Sequence, residues 1–376
     1  MISRHQNKVF VLRHNRGQGG VEKAAERLAS QLERHFAVQR LWAGTHYQGN
    51  EIPGKRGAAW WRSWRYTRFV DAQRLQRPRQ LVLSLEFGPD CDIYRAGDGV
   101  HHLNVRRRYG RHKGWVFNPW NWYAPRLQRK CLASAQVVVA NSKLVEQLLQ
   151  QEYPHLAQKT VTIYNGFDPQ IYKTTSQPKP RLRADLGLPT EGLLLLLAGH
   201  GFARKGLRHA ITLLDELVNT RQRKACLVVA GQGDPRFVAR QTARAALQAN
   251  VHYVGSVSGI TRYYQAADFM VLPTRHDPFS NACLETLACG CPVVTSDQNG
   301  AAEVLTPDNG CVTPTSFDRH ELDRAADFIC RFDRSPPEVA ATVAHLTQDR
   351  EMKAYLSLLD DLFARQRSGQ LERDDR

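Results

Sequence analysis

The chain has no hydrophobic run able to cross a bilayer: its longest uninterrupted apolar stretch runs only from Leu193 to Ala198, against the ~20 residues that a spanning helix needs. The apolar stretch near the N-terminus, Val9 to Leu12, is cut by Arg13 and is too short for the core of a secretory signal, so a cytoplasmic location is expected. The 8 cysteines show no paired spacing and read as small buried thiols of a reducing compartment. Cys289 and Cys291 flank a Gly-Cys-Pro turn with no nearby histidine, which argues against zinc, and no acidic cluster resembles a magnesium site. Acidic residues are missing altogether between Asp98 and Glu146.

What fills that acid-free interval is basic and aromatic. Eight Lys or Arg lie between Arg106 and Lys130, interleaved with Tyr109, Trp115, Phe117, Trp120, Trp122 and Tyr123. A second such stretch, Lys55 to Arg68, carries Trp60, Trp61, Trp64 and Tyr66, and the net charge of the chain is +16. Nucleic acid, an anionic membrane and a phosphorylated substrate would all suit such surfaces.

A chain of 376 residues is long for one core and suits two domains with a cleft between them. Short β-branched or leucine-rich runs alternate with helical patterns throughout, the mark of α/β domains with parallel sheets. Strands are predicted near Val9–Leu12, Val38–Trp42, Leu81–Leu85, Val137–Ala140 and Val161–Tyr164, then Leu193–Ala198, Leu227–Ala230, His252–Val254, Phe269–Leu272 and Val293–Thr295. The stretch Lys173–Pro180 has no hydrophobic period and reads as a linker, giving domains at 1–172 and 181–350 with a C-terminal helix and tail at 351–376. Leu207, Ile211, Leu214 and Val218 line one face of a helix, as do Met352, Tyr355, Leu356, Leu359 and Phe363 in the tail.

Ligands of open parallel sheets bind beyond the carboxyl ends of the strands, so the loops there hold the candidates. After the first strand comes Gly17-Gln18-Gly19-Gly20, small residues at a helix start that let a ligand reach backbone N–H groups. It is not a dinucleotide fingerprint, because Glu22 stands where the third glycine belongs. After Leu193–Ala198, Arg204-Lys205-Gly206 leads into a helix and offers two cations to a diphosphate. The stretch Pro273 to Ser296 places Asp277 in a loop and Glu285 about one turn into a helix, with Phe279, Ser280 and Asn281 at the helix start expected to turn N–H groups towards a phosphate or sugar. His14, His46 and His200 read as ordinary polar side chains.

The segment from Asp277 to Glu285, preceded by "RKG" and followed by "GCPVV", resembles the E-x7-E region of the retaining glycosyltransferases of family four. "YNGFD" at Tyr164–Asp168 and "DIYRAGDGVHH" at Asp92–His102 are similar to the lipopolysaccharide core glucosyltransferases of that family. The resemblance implies two Rossmann-like domains facing a central cleft (the GT-B arrangement), the C-terminal helix returning to the N-terminal domain. It implies an N-terminal acceptor domain and a C-terminal donor domain that binds a nucleotide sugar, UDP-glucose, with no further cofactor and no metal. It assigns Glu285 to the donor ribose, Arg204 and Lys205 to the diphosphate, and Asp277 with the backbone at Phe279, Ser280 and Asn281 to the donor sugar. Gly19 and Gly20 would lie against the phosphate and the acceptor. Asp98 falls at an acidic position near the reacting carbon, with His101 as its candidate neighbour. Asp277 departs from the family, which usually carries Glu there. The implied partners are a phosphorylated glycolipid acceptor and, peripherally, an anionic membrane on the cytoplasmic side. Nucleic acid is disfavoured, since the site residues sit at strand ends and no nucleic-acid module is present.

Overall fold

The computed structural model describes residues 7–14, 20–53, 57–75, 80–109 and 113–374. The chain forms two compact units, Met1–Tyr164 with Asp349–Arg376, and Asn165–Gln348. The second unit opens at Asn165, ahead of the proline-bearing 173–180 segment. In the first unit the order is β1 (Lys8–Arg13), α1 (Gly20–Leu32), β2 (Ala37–Trp42), a hairpin of β3 (His46–Tyr47) and β4 (Asn50–Glu51), α2 (Ala59–Leu75), β5 (Leu81–Ser84), β6 (Ile93–Arg95), α3 (His101–Tyr109), α4 (Pro119–Ser134), β7 (Val137–Ala140), α5 (Lys143–Glu152) and β8 (Thr160–Thr162). The second unit holds α6 (Lys179–Asp185), β9 (Leu193–Ala198), α7 (Leu207–Asp215), β10 (Ala225–Ala230), α8 (Pro235–Arg244), β11 (Val251–Gly255), α9 (Ile260–Ala266), β12 (Phe269–Leu272), α10 (Asn281–Ala288), β13 (Val293–Ser296), β14 (Gly310–Thr313), α11 (Arg319–Arg331) and α12 (Pro336–Val343); α13 (Gln348–Asp374) closes the chain.

In the first unit a parallel sheet runs β2-β1-β5-β6-β7-β8. Successive strand residues point to opposite faces, and each face has its own core. Val9, Val11, Leu81, Leu83 and Ile93 pack with Leu28 and Leu32 of α1 and with Met352, Tyr355, Leu356, Leu359 and Phe363 of α13. Phe10, Leu12, Val82, Tyr94 and Val138 pack with Tyr66 and Val70 of α2, Cys131 and Leu132 of α4 and Val145 of α5. The C-terminal helix therefore completes the core of the N-terminal unit, fastened also by an ion pair between Arg27 and Glu351 at 2.9 Å. Strand β6, only three residues long, escapes the sequence pattern. It is stitched in by Asp92, whose carboxylate accepts the Val82 N–H at 2.8 Å and the Gln136 amide at 2.9 Å.

The second sheet is also parallel, in the order β11-β10-β9-β12-β13-β14. Its central strands are buried on both faces, as the unbroken apolar run at Leu193–Ala198 requires, while the edge strand β11 is only half-buried. Numbered within the unit, that order is 3-2-1-4-5-6, the doubly wound order with a switch point between its first and fourth strands, here β9 and β12. The helix predicted to run to Val218 instead changes after Asp215 into one π-helical turn, Glu216–Thr220. The extra residue per turn rotates the face, so that Leu217 is fully buried in place of Val218. It also seats the buried Glu216 carboxylate between Arg221 at 3.0 Å and Arg319 at 2.8 Å.

The "YNGFD" motif straddles the boundary, its residues from Asn165 opening the second unit. A Cβ on Gly166 would lie 2.3 Å from the Thr347 carbonyl oxygen, so only glycine allows the two segments to pair, Phe167 N–H to Leu346 O at 3.1 Å and Gln348 N–H to Phe167 O at 2.9 Å.

Candidate active site

Loops after β9 and β12 meet at the switch point of the second sheet, and backbone bonds lace them together. The Arg204 carbonyl accepts the Arg275 N–H at 2.8 Å and the Thr274 hydroxyl at 3.0 Å. Gly206, at φ +82°, caps α7 in the left-handed region, and a Cβ there would stand 2.0 Å from the Pro273 carbonyl oxygen. A glycine after the two cations is thus a steric demand of the crossing.

The crossing sets the two cations apart. Lys205 is buried, its Nζ 2.6 Å from Asp277 Oδ2. Arg204 leaves half of its side chain exposed, donates to the His276 carbonyl at 3.0 Å and approaches Asp277 only to 3.4 Å. A guanidinium carries five donors, so Arg204 keeps hydrogen-bonding capacity towards solvent. Burial works against a charged Asp277, but Lys205 and then Arg204 outweigh it and hold the carboxyl below its ordinary range. Two cations against one carboxylate leave this three-residue cluster with a net positive charge.

The Asp277 backbone is fixed as well, its N–H donating to Gln298 O and its carbonyl accepting the Gly300 N–H, both at 2.9 Å. Asn299 braces the next turn: its Oδ1 accepts the N–H groups of Ser280 and Ala301, each at 3.1 Å. The Ser280 N–H is therefore committed within the protein, which corrects the expectation of an open donor there. Phe279 and Ser280 are both buried, so they shape the loop from beneath. Asn281 opens α10 with its side-chain oxygen held by Asn165 at 2.7 Å, tying "YNGFD" to this helix. Glu285 is half-buried on α10 and accepts a hydrogen bond from the buried Tyr264 hydroxyl at 3.1 Å. That phenol is pushed well up by burial, with the Glu285 charge adding to the effect.

The first unit gathers a second cluster at its strand ends. Glu86, just after β5, faces Arg13 Nε and His14 Nδ1 at the end of β1, each at 3.5 Å. The His14 ring lies 5.7 Å from Tyr66 and stacks at 6.3 Å on Trp120, while Trp120 and Phe87 both pack edge-on against His101, at 6.0 and 5.5 Å. Asp98 is exposed in the turn after β6, and Asn104 donates to its carbonyl at 2.7 Å. His101 begins α3; burial, reinforced by neighbouring His102, lowers its pKa to about 4, so it is neutral at physiological pH. Gly19 lies outside the described residues, and α1 opens at Gly20. Sequence reading leaves His14 as an ordinary polar side chain and does not single out Glu86. The signal available was position: His14 is the first and Glu86 the second residue past the strands flanking the switch point of their sheet.

The basic and aromatic segments form an exposed surface on the same unit. Trp60, Trp61 and Trp64 of α2 are each about two-fifths exposed, Trp122 is 47% and Phe117 88% exposed. A groove of about 450 Å³ runs between Trp60, Val116, Phe117, Pro119, Trp122 and Arg126. Among the described residues no helix is long and apolar enough to cross a membrane, and no group of three or more His, Cys, Asp or Glu is placed to hold a metal ion. None of the eight cysteines is in a disulfide, and burial raises the thiols of Cys289 and Cys291 to about 12.

Comparison with known proteins agrees with this arrangement. The chain is 23% identical over 320 residues to the lipopolysaccharide glucosyltransferase WaaG of Escherichia coli K12, covering 81% of this chain and 84% of that one. It is 25% identical over 228 residues to an uncharacterized glycosyltransferase of Methanocaldococcus jannaschii, covering 59% of this chain but only 53% of that longer relative. The crystal structure of WaaG, a glycosyltransferase involved in lipopolysaccharide biosynthesis, superposes with a TM-score of 0.72 at 20% identity, over 92% of this chain and 94% of that one. Anabaena HepE in complex with UDP-glucose superposes with a TM-score of 0.70 at 18% identity, over 94% and 99%. The two parallel-sheet α/β units thus match glycosyltransferase structures of the GT-B fold. Residues 178–335, which include every candidate donor-side residue of the second unit, match the model of the glycosyl transferases group 1. Residues 178–335 thus form a domain of the group 1 glycosyl transferase kind, and the relatives support a glycosyltransferase that uses a nucleotide sugar.

Proposed function

We propose that this enzyme moves a hexose, glucose from UDP-glucose, with retention of configuration, onto a phosphorylated lipopolysaccharide inner-core acceptor at the cytoplasmic face of the membrane. The observation that carries the reading is the meeting of Arg204, Lys205 and Asp277 at the β9/β12 switch point, with Glu285 one turn into the adjoining helix. Departure of the diphosphate builds negative charge on the leaving group and positive charge on the sugar ring. Fixed cations at the leaving group stabilise the first without reorganising at the moment of reaction. In this reading Arg204 and Lys205 take the diphosphate, Glu285 the ribose hydroxyls, and Asp277 with the backbone at Phe279 and Asn281 the donor sugar, Ser280 shaping the loop from within. Lys205 is held in place by Asp277 before any donor arrives, so the cation is pre-organised.

Asp98 and His101 act on the acceptor side. A neutral His101 can accept or donate a hydrogen bond to a sugar hydroxyl, which a histidinium cannot do in both senses. The acceptor attacks from the face that the diphosphate leaves. Support for the substrates comes from the E. coli relative, named a lipopolysaccharide glucosyltransferase, and from the UDP-glucose of the HepE complex. Tryptophans, arginines and the apolar groove on the first unit suit an anionic membrane surface, where aromatic rings prefer the interface and each basic side chain contributes about 1 kcal/mol.

A donor panel assayed against lipopolysaccharide from core-truncated strains tests the reading. Glucose transfer to an inner-core acceptor with an α-linked product is expected. Transfer only to another glycan or lipid carrier, or an inverted linkage, would contradict it.

A further inference from the structure

Gln128 is fully buried on α4, and its amide is spent on the turn that carries Asp98 and His101. Oε1 accepts the His101 backbone N–H at 3.0 Å, while Nε2 donates to the Gly99 carbonyl at 2.8 Å and reaches the Tyr94 hydroxyl at 3.3 Å. One planar group thus grips the chain on both sides of residue 100. Asn104 holds the same turn from its other end, through the Asp98 carbonyl at 2.7 Å. The turn is tight, with Gly99 at φ +68° and its N–H bonded to Ala96 O at 3.0 Å. A buried amide is costly unless each polar atom is bonded, and an apolar side chain of similar size would fill this position between Tyr94 and Cys131 without that demand. The amide specifies where the turn sits.

We propose that Gln128 is a positioning residue for transfer: it fixes the backbone from Asp98 to His101, and through it the two acceptor-side groups, without touching substrate. This rests on the reading of Asp98 and His101 given above. A displacement of about 1 Å at reacting groups can cost about 10²-fold in rate, and such a loss falls on turnover, because the donor-side residues Arg204, Lys205, Asp277 and Glu285 belong to the other unit.

The test is Gln128→Leu, which keeps volume and removes all three bonds, assayed with UDP-glucose and a core-truncated acceptor alongside Asp98→Asn. In the folded variant kcat is expected to fall about tenfold or more with the KM for UDP-glucose within about twofold; a structural loss would instead lower the melting temperature and leave the kcat of the folded fraction unchanged. Wild-type kcat in folded Gln128→Leu, or a rise in donor KM matching the loss of kcat, overturns the proposal. Should Gln128→Leu fail to fold, Asn104→Ala carries the same test from the exposed end of the turn, and a wild-type kcat there overturns it equally. Inactive Asp98→Asn beside fully active Gln128→Leu defeats the positioning role alone, whereas wild-type turnover in Asp98→Asn removes the reading beneath it.

Discussion

Lys205 and Asp277, 72 positions apart in the chain, meet as a buried ion pair at 2.6 Å where β9 and β12 end. The first unit has a looser counterpart, Arg13 and His14 against Glu86 at 3.5 Å, at the ends of β1 and β5. Both pairs bridge the place where strand order reverses, where two loops diverge and leave room for a ligand. In the second unit Arg204 reaches the same carboxylate at 3.4 Å while half of its side chain stays exposed.

The two cations should therefore separate on mutation. Lys205→Ala strands a buried carboxylate and is expected to cost about 3 kcal/mol of stability. Arg204→Ala, at a half-exposed site, should change stability by less than about 1 kcal/mol while slowing transfer by about 10². Because the Asp277 pKa is depressed by folding, its stabilisation is present above the ordinary carboxylate pKa of about 3.9 and is lost as pH falls through the lower folded value. Denaturant melts of wild type and Asp277→Asn at pH 7 and pH 3 check this: the gap between them should narrow on acidification.

His101 makes the opposite use of burial. Its folded pKa of about 4 lies below the ordinary histidine value of about 6.5. The unfolded chain therefore takes up a proton first, and stability falls as pH drops from about 6.5 towards 4. His101→Gln should lack that part of the acid slope, and turnover of the wild type should show no titration from this side chain between pH 6 and 8. Melts and pH–rate profiles of the two proteins measure both.

Much of this was legible in the sequence, and the failures have physical causes. The central strands of the second sheet were readable because they are buried on both faces and so written as unbroken apolar runs, Leu193–Ala198 above all. Strands β6 and β14 were not, being three and four residues long and held by partners distant in sequence, such as Asp92 to Val82. The π turn at Glu216–Thr220 has no local signature, because a buried Glu paired with Arg319 is a tertiary fact. Asp277, Glu285, Arg204 and Lys205 stood out by type and position. That Lys205 is committed to Asp277, and the Ser280 N–H to Asn299, follows only from how two loops cross.

The exposed aromatic surface should bind membranes through charge and interface together. Sedimentation with vesicles is expected to need anionic lipid, to fall steeply with salt, and to weaken when Phe117 and Trp122 become Ser. Equal binding to neutral vesicles, or none to anionic ones, would assign these residues to the acceptor instead.

The most direct test of the donor site is calorimetric titration of UDP in the presence of a strong chelator. Wild type is expected to bind saturably without metal, and both Arg204→Ala and Glu285→Gln to weaken binding by about tenfold or more, as loss of a charged contact to diphosphate or ribose requires. Binding that vanishes in chelator and returns with Mg²⁺, or variants that bind UDP as wild type does, would contradict a donor site built on these residues.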